Sequence, residues 1–398
     1  MKDHIYINPE LSADSSSTLT TGQKFGPGNF LTIFWKHCKS QMVLTIAVIA
    51  MLVTCCFIPP DKQYIGYFNM RTLATLFCTL AVVNAFAHIH IFEFISKAIV
   101  IKLHNLRNAT IGLVLITYVG SMLLANDMAL LTFLPLGYFV LSKTENKQAM
   151  AFTFIMQNIA ANLGGMITPF GNPQNLYLYS YFKINTGEFM KIMFPSFFAA
   201  TIMILVCCLL VKPTPLTLKN DEAYTFNIKR MIIYSILFVA SILIVFRVVP
   251  YTWGTVAITI ALILLDKESI KEVNYPLLAT FCVFFVFSGN MARIPAVSNF
   301  FEFLLPKNTL LFGILSCQFI SNVPSAVLLS HFTNNYASLL PAVNIGGCGT
   351  LIASLASLIT FSEFKKHNPE KSKSYIVLFS VINFSFVIVL YLLQYFIA

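Results

Sequence analysis

The chain is built mainly from apolar segments of helical length, which are separated by short polar stretches. Only 11% of its 398 residues are charged and 57% are hydrophobic, whereas soluble proteins have about 25% and about 45–50%. A membrane-spanning helix needs about 20 apolar residues, so about ten spans would occupy roughly half of the chain. The sequence therefore predicts an all-α polytopic membrane protein. The apolar segments are 42–58, 71–89, 110–124, 127–141, 149–162, 190–211, 230–249, 252–265, 276–291, 309–320, 323–340, 350–361 and 374–397.

The distribution of Lys and Arg predicts the orientation in the membrane. Cytoplasmic loops of membrane proteins carry an excess of these residues. If the N-terminus is cytoplasmic and segments 110–141 and 309–340 are re-entrant hairpins, 19 of the 26 basic residues lie on the cytoplasmic side. We therefore predict a multi-pass protein of the cell membrane with a cytoplasmic N-terminus. The sequence has no aromatic-basic cluster and no ATP-binding motif, so neither nucleic acid nor ATP is an expected partner.

Four polar patches interrupt the apolar segments, at 125–135, 162–175, 321–325 and 344–354. They place Asn, Gly or Pro at membrane depth, where irregular backbone is tolerated only if it is buried in protein or lines a wet cavity. An unwound Gly-Gly segment exposes carbonyl oxygens that suit a cation such as Na⁺. The helix that starts after each break directs its N–H groups towards an anion. The patches therefore predict one central site for a cation and an anion.

The patches occur in matched pairs, which indicates an internal repeat. The Asn-Leu-Gly-Gly sequence at 162–165 resembles Asn-Ile-Gly-Gly at 344–347, and the tip 125–127 resembles 321–323. Under the predicted orientation the two hairpins enter from opposite sides, so the repeats would be inverted. Close helix packing by Gly and Asn is the alternative explanation. The predicted units are a flexible cytoplasmic leader 1–41, a first repeat with an N-terminal helix 42–211, a cytoplasmic linker 212–229, a second repeat 230–361, and a C-terminal loop and last helix 362–398.

These motifs resemble the ion transporter superfamily, which includes arsenite permeases, citrate and other carboxylate carriers, sulfate carriers and Na⁺/H⁺ exchangers. The resemblance covers about residues 42–397 and rests on N-L-G-G-M-I-T-P-F-G-N-P-Q-N at 162–175 and on V-N-I-G-G-C-G-T-L-I-A-S at 343–354. It implies an elevator-type carrier with two inverted repeats, each with a re-entrant hairpin and a broken helix. Such carriers are usually homodimers.

The resemblance also implies roles for individual residues. In the sodium-coupled carboxylate members each hairpin tip reads Ser-Asn-Thr and binds both Na⁺ and the carboxylate. The implied substrate-binding residues are Asn126, Asp127, Thr168, Pro169, Asn172, Asn322, Val323 and Thr350. The implied cation-binding residues are Asn126, Gly164, Gly165, Asn322, Gly346 and Gly347.

Both hairpin tips depart from Ser-Asn-Thr, because the first reads Ala-Asn-Asp and the second reads Ser-Asn-Val. An ionised Asp127 would repel a dicarboxylate, and an Asn-Asp tip looks more like arsenite permeases and Na⁺/H⁺ exchangers. Acids inside a membrane are costly and usually functional, so Asp127 is a candidate for proton coupling. Capping of the helix that follows is its structural alternative. His331, nine residues beyond Asn322 on the predicted hairpin helix, is a weaker candidate for a proton relay.

The sequence favours a secondary active transporter that moves a small anion, either an organic carboxylate or an inorganic oxyanion, by an elevator mechanism. A gradient of Na⁺ or H⁺ would drive it. Arsenite or antimonite efflux and Na⁺/H⁺ exchange are alternatives within transport. A channel or a membrane-embedded enzyme is less favoured, because the patches converge on one level and no paired catalytic groups occur. We expect no cofactor and no metal, apart from Na⁺ as a candidate coupling ion.

Overall fold

A computed structural model describes residues 42–91, 105–143, 146–215 and 227–397. The predicted leader 1–41 and part of the predicted linker 212–229 lie outside this part. In the described residues the regular structure is helical, with one isolated β-bridge between Asn105 and Pro215. In chain order the α-helices are α1 (Met42–Phe57), α2 (Tyr64–Tyr67), α3 (Met70–His88), α4 (Leu106–Leu123), α5 (Asn126–Lys143), α6 (Met150–Gly164), α7 (Pro173–Tyr181), α8 (Thr186–Leu209), α9 (Ile228–Val245), α10 (Tyr251–Leu265), α11 (Lys267–Lys271), α12 (Tyr275–Arg293), α13 (Pro295–Leu304), α14 (Thr309–Ile320), α15 (Asn322–Leu329), α16 (Tyr336–Ile345), α17 (Leu355–His367) and α18 (Ser372–Ile397).

In the described part of the chain, seven helical segments are long and apolar enough to cross a membrane, which confirms a polytopic membrane protein. They are Met70–His88, Leu106–Leu123, Met150–Ile167, Thr186–Leu209, Ile228–Val245, Lys267–Arg293 and Pro369–Ile397. Met150–Ile167, which contains α6, is 83% buried, whereas Ile228–Val245, which is α9, is only 22% buried. The segment around α6 is therefore a central helix, and α9 presents most of its apolar surface outward.

Asn side chains cap the N-terminal ends of α3, α4, α12 and α14. Asn105 Oδ1 accepts from the backbone at the start of α4 at 2.9 Å, and Asn308 Oδ1 does the same for α14 at 2.8 Å. Asn69 and Asn274 cap α3 and α12 with bonds of 3.1 and 3.0 Å. Each cap satisfies one of the free N–H groups at a helix start and contributes about 1 kcal/mol. The polar residues between the apolar segments thus fix where these helices begin.

The flanking group, α1–α3 with α9–α12, repeats one arrangement twice. In each copy a helix, a short helical turn and a long helix follow one another, as α1–α2–α3 and as α10–α11–α12. The long helix of each copy packs on the first two helices of the other, because α12 contacts α1 and α2 while α3 contacts α10 and α11.

Matched ionic contacts close the ends of α3 and α12. Arg293, the last residue of α12, pairs with Asp61 at 2.7 Å, and this guanidinium lowers the pKa of the Asp61 carboxyl. His88, the last residue of α3, places Nδ1 2.7 Å from Asp266 and Nε2 2.7 Å from Glu272. Each contact ties a long helix to the loop that follows the first helix of the other copy, or to its short turn.

The central group, α4–α8 with α14–α18, holds the two hairpins and the two broken helices. The hairpin α4–α5 packs on α6, and the hairpin α14–α15 packs on α16. The second arm of each hairpin also reaches the other half, because α5 contacts α17 and α15 contacts α7. The long helices α8 and α18 contact each other. The two halves are therefore interleaved around the helix breaks.

Two predicted segments differ most from the observed helices. Segment 323–340 is two helices, because the polar run at 333–335 ends the apolar pattern and Asn335 caps α16 with a bond of 3.1 Å to Ser338 N. The second hairpin is therefore Thr309–Leu329, with arms of 12 and 8 residues. His331 lies beyond α15, beside the ring of Tyr181, so its predicted place on the hairpin helix is wrong.

The segment predicted at 350–361 is also displaced. It is the helix α17, which begins after its cap Ser354 and continues to His367. The apolar residues Leu351 and Ile352 led to the earlier predicted start of this helix. The backbone there instead forms turns that end at Ser354. This helix therefore extends past the predicted end of the second repeat at residue 361.

Candidate functional site

The tip of the first hairpin joins the broken helix of its own half. Asn126, the first residue of α5, donates from Nδ2 to Asn162 Oδ1 at 3.0 Å and accepts from Asp127 N at 3.0 Å. Asp127 is 3% exposed, and its Oδ1 has no hydrogen-bond partner among the described residues. A buried carboxylate oxygen without a donor is costly, which makes Asp127 a candidate functional group.

The tip of the second hairpin has the same local geometry. Asn322 Oδ1 accepts from Val323 N at 2.9 Å, as Asn126 does from its own neighbour. Asn322 N donates to Ala353 O at 2.9 Å, which fastens this tip to the turn before α17. A Cβ atom at Gly347 would lie 2.8 Å from Asn322 Nδ2, so this close approach requires glycine.

Both helix breaks end in an extended residue that stands immediately before the next helix. Gly164 ends α6, Gly165–Ile167 forms a 3₁₀ turn, and α7 begins after Asn172, which has φ −134° and ψ 141°. Pro173 suits the start of α7, because N–H groups at a helix start have no acceptor within the helix and proline lacks this donor. In the second half, Ser354 has φ −148° and ψ 151° before α17. The matched break residues Gly346 and Gly347 follow α16 directly.

Hydrogen bonds cross between the halves at the two breaks. Asn172 Nδ2 donates to Asn162 O at 2.9 Å and to Asn344 Oδ1 at 3.0 Å. In the reverse direction Asn162 Nδ2 donates to Ser354 Oγ at 3.2 Å. Asn172, before α7, therefore bonds the Asn before the second break, and Ser354, before α17, bonds the Asn before the first break. These four residues are buried, and we call them and the two tip Asn residues the central network.

The two predicted Thr residues hold the hairpins against the breaks. Thr168 Oγ1 donates to Met122 O at 2.8 Å, and Thr350 Oγ1 donates to Gln318 O at 3.1 Å. Both acceptors lie four residues before the tip Asn of their hairpin. Each Thr therefore has the same role in its half.

The carbonyl groups of the breaks accept from side-chain amides. Asn175 Nδ2 donates to Gly165 O at 3.3 Å, and Gln318 Nε2 donates to Gly346 O at 2.9 Å. Asn175 also accepts from Asn344 Nδ2 at 2.6 Å, which links this amide to the central network. The break carbonyls therefore have donors from within the chain.

The structure brings together most of the predicted site residues. A chain of contacts runs from Asn126 through Asn162 to Ser354, whose neighbour Ala353 binds Asn322. Pro169 is buried and Val323 is half-buried, and the structure gives neither side chain a polar role. In the described residues no group of three or more His, Cys, Asp or Glu could hold a metal ion.

Several residues of this site were not predicted as site residues from the sequence. They are Asn162, Asn175, Gln318, Asn344 and Ser354. Two signals could have found some of them. Asn162 and Asn344 begin the matched Asn-x-Gly-Gly sequences, and Ser354 follows Asn344 by the same ten residues that separate Asn172 from Asn162.

The chain matches the protein family described as Citrate transporter over residues 30–342. It belongs to this family. An uncharacterized transporter of Methanocaldococcus jannaschii is 30% identical over 80% of this chain and 87% of its own length. The inner membrane protein YbiR of Escherichia coli is 26% identical over 76% of this chain and 82% of its own length. A Dictyostelium discoideum protein with the transporter name arsB is 26% identical over 33% of this chain and 23% of its own length.

These matches confirm the resemblance to the ion transporter superfamily. Together with the membrane-spanning segments, they make the chain a multi-pass membrane transporter. The central network is therefore the candidate site of transport, because it is the place where hairpin tips and helix breaks of both halves meet.

Proposed function

We propose that this transporter moves a small anion, an organic carboxylate or an inorganic oxyanion, across the cell membrane. One observation carries the proposal: both hairpin tips and both helix breaks meet in one buried network of amide and hydroxyl groups. Such groups can donate several hydrogen bonds to an anion. The starts of α7 and α17 add the partial positive charge of helix N-termini. Citrate is the first candidate, because the family carries that description.

Asp127 supports coupling of this transport to protons, and Na⁺ is the other candidate ion. At about 5 Å and an effective dielectric constant of about 20, two like charges repel by roughly 3 kcal/mol. An anion would therefore bind about 100-fold better once Asp127 is protonated. By thermodynamic linkage the bound anion would favour protonation to the same extent. Anion and proton would then cross the membrane together.

The transport movement we propose is that of an elevator. The central group would carry the site past the flanking group, and the site would face the two sides of the membrane in turn. The paired contacts α5–α17 and α15–α7 support two repeats of related structure, and we propose that they are inverted in the membrane. A homodimer and a cytoplasmic N-terminus, which the resemblance and the charge distribution imply, complete this proposal.

Uptake into proteoliposomes tests the function. Radiolabelled citrate is offered under an inward gradient of H⁺ or of Na⁺, with succinate, sulfate, phosphate and arsenite as competitors. We expect gradient-driven uptake that Asn172→Ala and Asn322→Ala abolish. Gln394→Ala is the matched control, because this buried amide accepts from Ser196 in α8, outside the central network, at 2.9 Å. If no anion of the panel enters or competes under either gradient, or if Asn172→Ala transports normally, the proposal is wrong.

Arsenite or antimonite efflux is a second candidate. The Asn-Asp tip and the similarity to a protein named arsB favour it. Arsenite is largely uncharged at neutral pH, so an ionised Asp127 would not repel it as it repels citrate. Export of arsenite from loaded proteoliposomes, with no citrate uptake, would select this candidate. Proton movement in response to Na⁺ alone would instead select Na⁺/H⁺ exchange.

A further inference from the structure

Three carbonyl oxygens of the first helix break converge on one side-chain nitrogen. Asn175 Nδ2 lies 3.1–3.3 Å from the oxygens of Gly165, Met166 and Thr168. The orientation of this amide is fixed, because its Oδ1 accepts from Asn344 Nδ2 at 2.6 Å. A reversed amide would place oxygen against three carbonyl oxygens. We call the three carbonyl groups the first cradle.

The second helix break has a related cradle. Gln318 Nε2 donates to two carbonyl oxygens of the break, Gly346 O at 2.9 Å and Cys348 O at 3.1 Å, and to Ile314 O of its own helix α14 at 3.2 Å. Its Oε1 accepts from Thr350 N at 2.9 Å, which again fixes the orientation of the amide. Gly349, with φ +114°, has no side chain to collide with Gln318. This second cradle therefore contains the end of a side chain from the hairpin.

Three converging carbonyl oxygens are the kind of ligand set that transporters with unwound helices offer to a coupling cation. An amide –NH₂ is a donor with partial positive charge, so it can satisfy the same oxygens. The cation and the amide cannot occupy a cradle at the same time. We propose that Asn175 and Gln318 fill the two cation positions permanently, so that the transport cycle runs without Na⁺.

The consequence of the filled cradles for ion coupling rests on the proposed function. If both cradles are filled from within the chain, Asp127 is the acid at the hairpin tips that is left to carry a coupling ion, which would be a proton. Asn175 and Gln318 are then positioning residues that hold the breaks open without an external ion.

Melting temperatures of the purified full-length protein in detergent test the inference, and they require no substrate. The protein is titrated with NaCl against choline chloride at equal ionic strength. We expect the two wild-type curves to coincide within about 1 °C, because side-chain amides already occupy both cradles. A saturable stabilisation of the wild type by Na⁺ would overturn the inference.

Emptying one cradle supplies the positive test. Gln318→Ala exposes the second cradle, so we expect a lower melting temperature that NaCl, but not choline chloride, raises again by about 2 °C or more. Gln318→Glu, which keeps the shape of the side chain, is the second variant in case Gln318→Ala does not fold. Its carboxylate cannot donate to the carbonyl oxygens and should also recruit Na⁺.

The control is Gln394→Ala, which removes a buried amide outside the cradles and should gain no response to Na⁺. Equal curves in both salts for the Gln318 variants, or the same response to Na⁺ in Gln394→Ala, would show that the cradle is not a cation position. The melting temperatures test the filled cradles, and the uptake assay tests the proposed function. A wild type that Na⁺ stabilises can still transport an anion, and a protein that transports no anion can still have filled cradles.

Discussion

The two halves of the candidate site share several hydrogen bonds but differ in their chemistry. In both halves the tip Asn accepts from the next backbone N–H, and a Thr of the break donates to the hairpin backbone. The residue after the first tip Asn is the acid Asp127, whereas the residue after the second is Val323. The first cradle is filled from α7, but the second is filled by Gln318 from its hairpin.

The matched and the unmatched residues therefore have different roles in the site. The matched bonds hold two tips and two breaks in one arrangement, which any carrier with this fold needs. The unmatched residues would determine which ions the site accepts. The carboxylate at the hairpin tips, Asp127, lies in the first half. Changes to matched residues should therefore disturb stability in both halves, and changes to unmatched residues should alter coupling in one.

The largest effect is expected for Asn344→Ala, compared with its counterpart Asn162→Ala. The Asn344 side chain bonds Asn172 at 3.0 Å, Gln174 at 3.3 Å, Asn175 at 2.6 Å and Leu340 O at 2.8 Å. Its loss leaves several buried groups without partners, which costs about 1–3 kcal/mol for each group. We expect a loss of about 3 kcal/mol or more and no transport.

Asn162→Ala removes only two side-chain bonds, so we expect a smaller loss, of about 2 kcal/mol. Denaturant unfolding in detergent compares the two variants. Equal losses would contradict the view that Asn344 is the more connected of the pair. Gln394→Ala again controls for the removal of any buried amide.

The second prediction concerns the unmatched tip residues. Asp127→Asn keeps the shape of the side chain but cannot release a proton, so uptake should lose its dependence on pH and fall by about tenfold or more. In the wild type, uptake should fall as the pH rises on the side of entry, because ionised Asp127 repels the anion. Val323→Ala, at the matched position, should keep the pH profile of the wild type. An unchanged pH profile in Asp127→Asn would exclude Asp127 as the proton carrier.

The third prediction tests whether the Thr pair is equivalent. Thr168→Val and Thr350→Val each remove one hydrogen bond to the hairpin backbone and preserve the side-chain shape. Each should cost about 1 kcal/mol, which is typical of one such bond. Melting temperatures measured side by side check this expectation. A loss in only one variant would mean that the hairpins are held differently.

The sequence was sufficient to predict the class of fold, the membrane location and the family, because low charge and interrupted apolar segments are local properties. It also predicted that Asn126 and Asn322 lie at hairpin tips that face the helix breaks. It could not separate 323–340 into two helices, since the apolar pattern is similar on both sides of the polar turn. The hydrogen-bond partners of the cradles and breaks could not be predicted either, because they are far apart in the sequence. Asn172 and Asn344 are 172 residues apart, and Gln318 and Gly346 are 28 apart.

The smallest effect is expected at the matched ends of α3 and α12. Only a protonated His88 can donate to both Asp266 and Glu272, since neutral imidazole has one donor. Tyr234, which contacts Asp266 at 3.5 Å, stays neutral in this range. The His88 contact therefore stabilises the fold at pH 6 and weakens as the pH rises towards 8.

The Asp61 contact should stay constant over this range, because Arg293 lowers the pKa of Asp61 and both groups remain charged. We expect His88→Gln to remove about 1 °C of melting temperature at pH 6 and almost none at pH 8. Asp61→Asn should give the same small loss at both pH values. If the loss in His88→Gln does not depend on pH, the contact is held by neutral hydrogen bonds, and the two ends of the flanking group do not differ in charge chemistry.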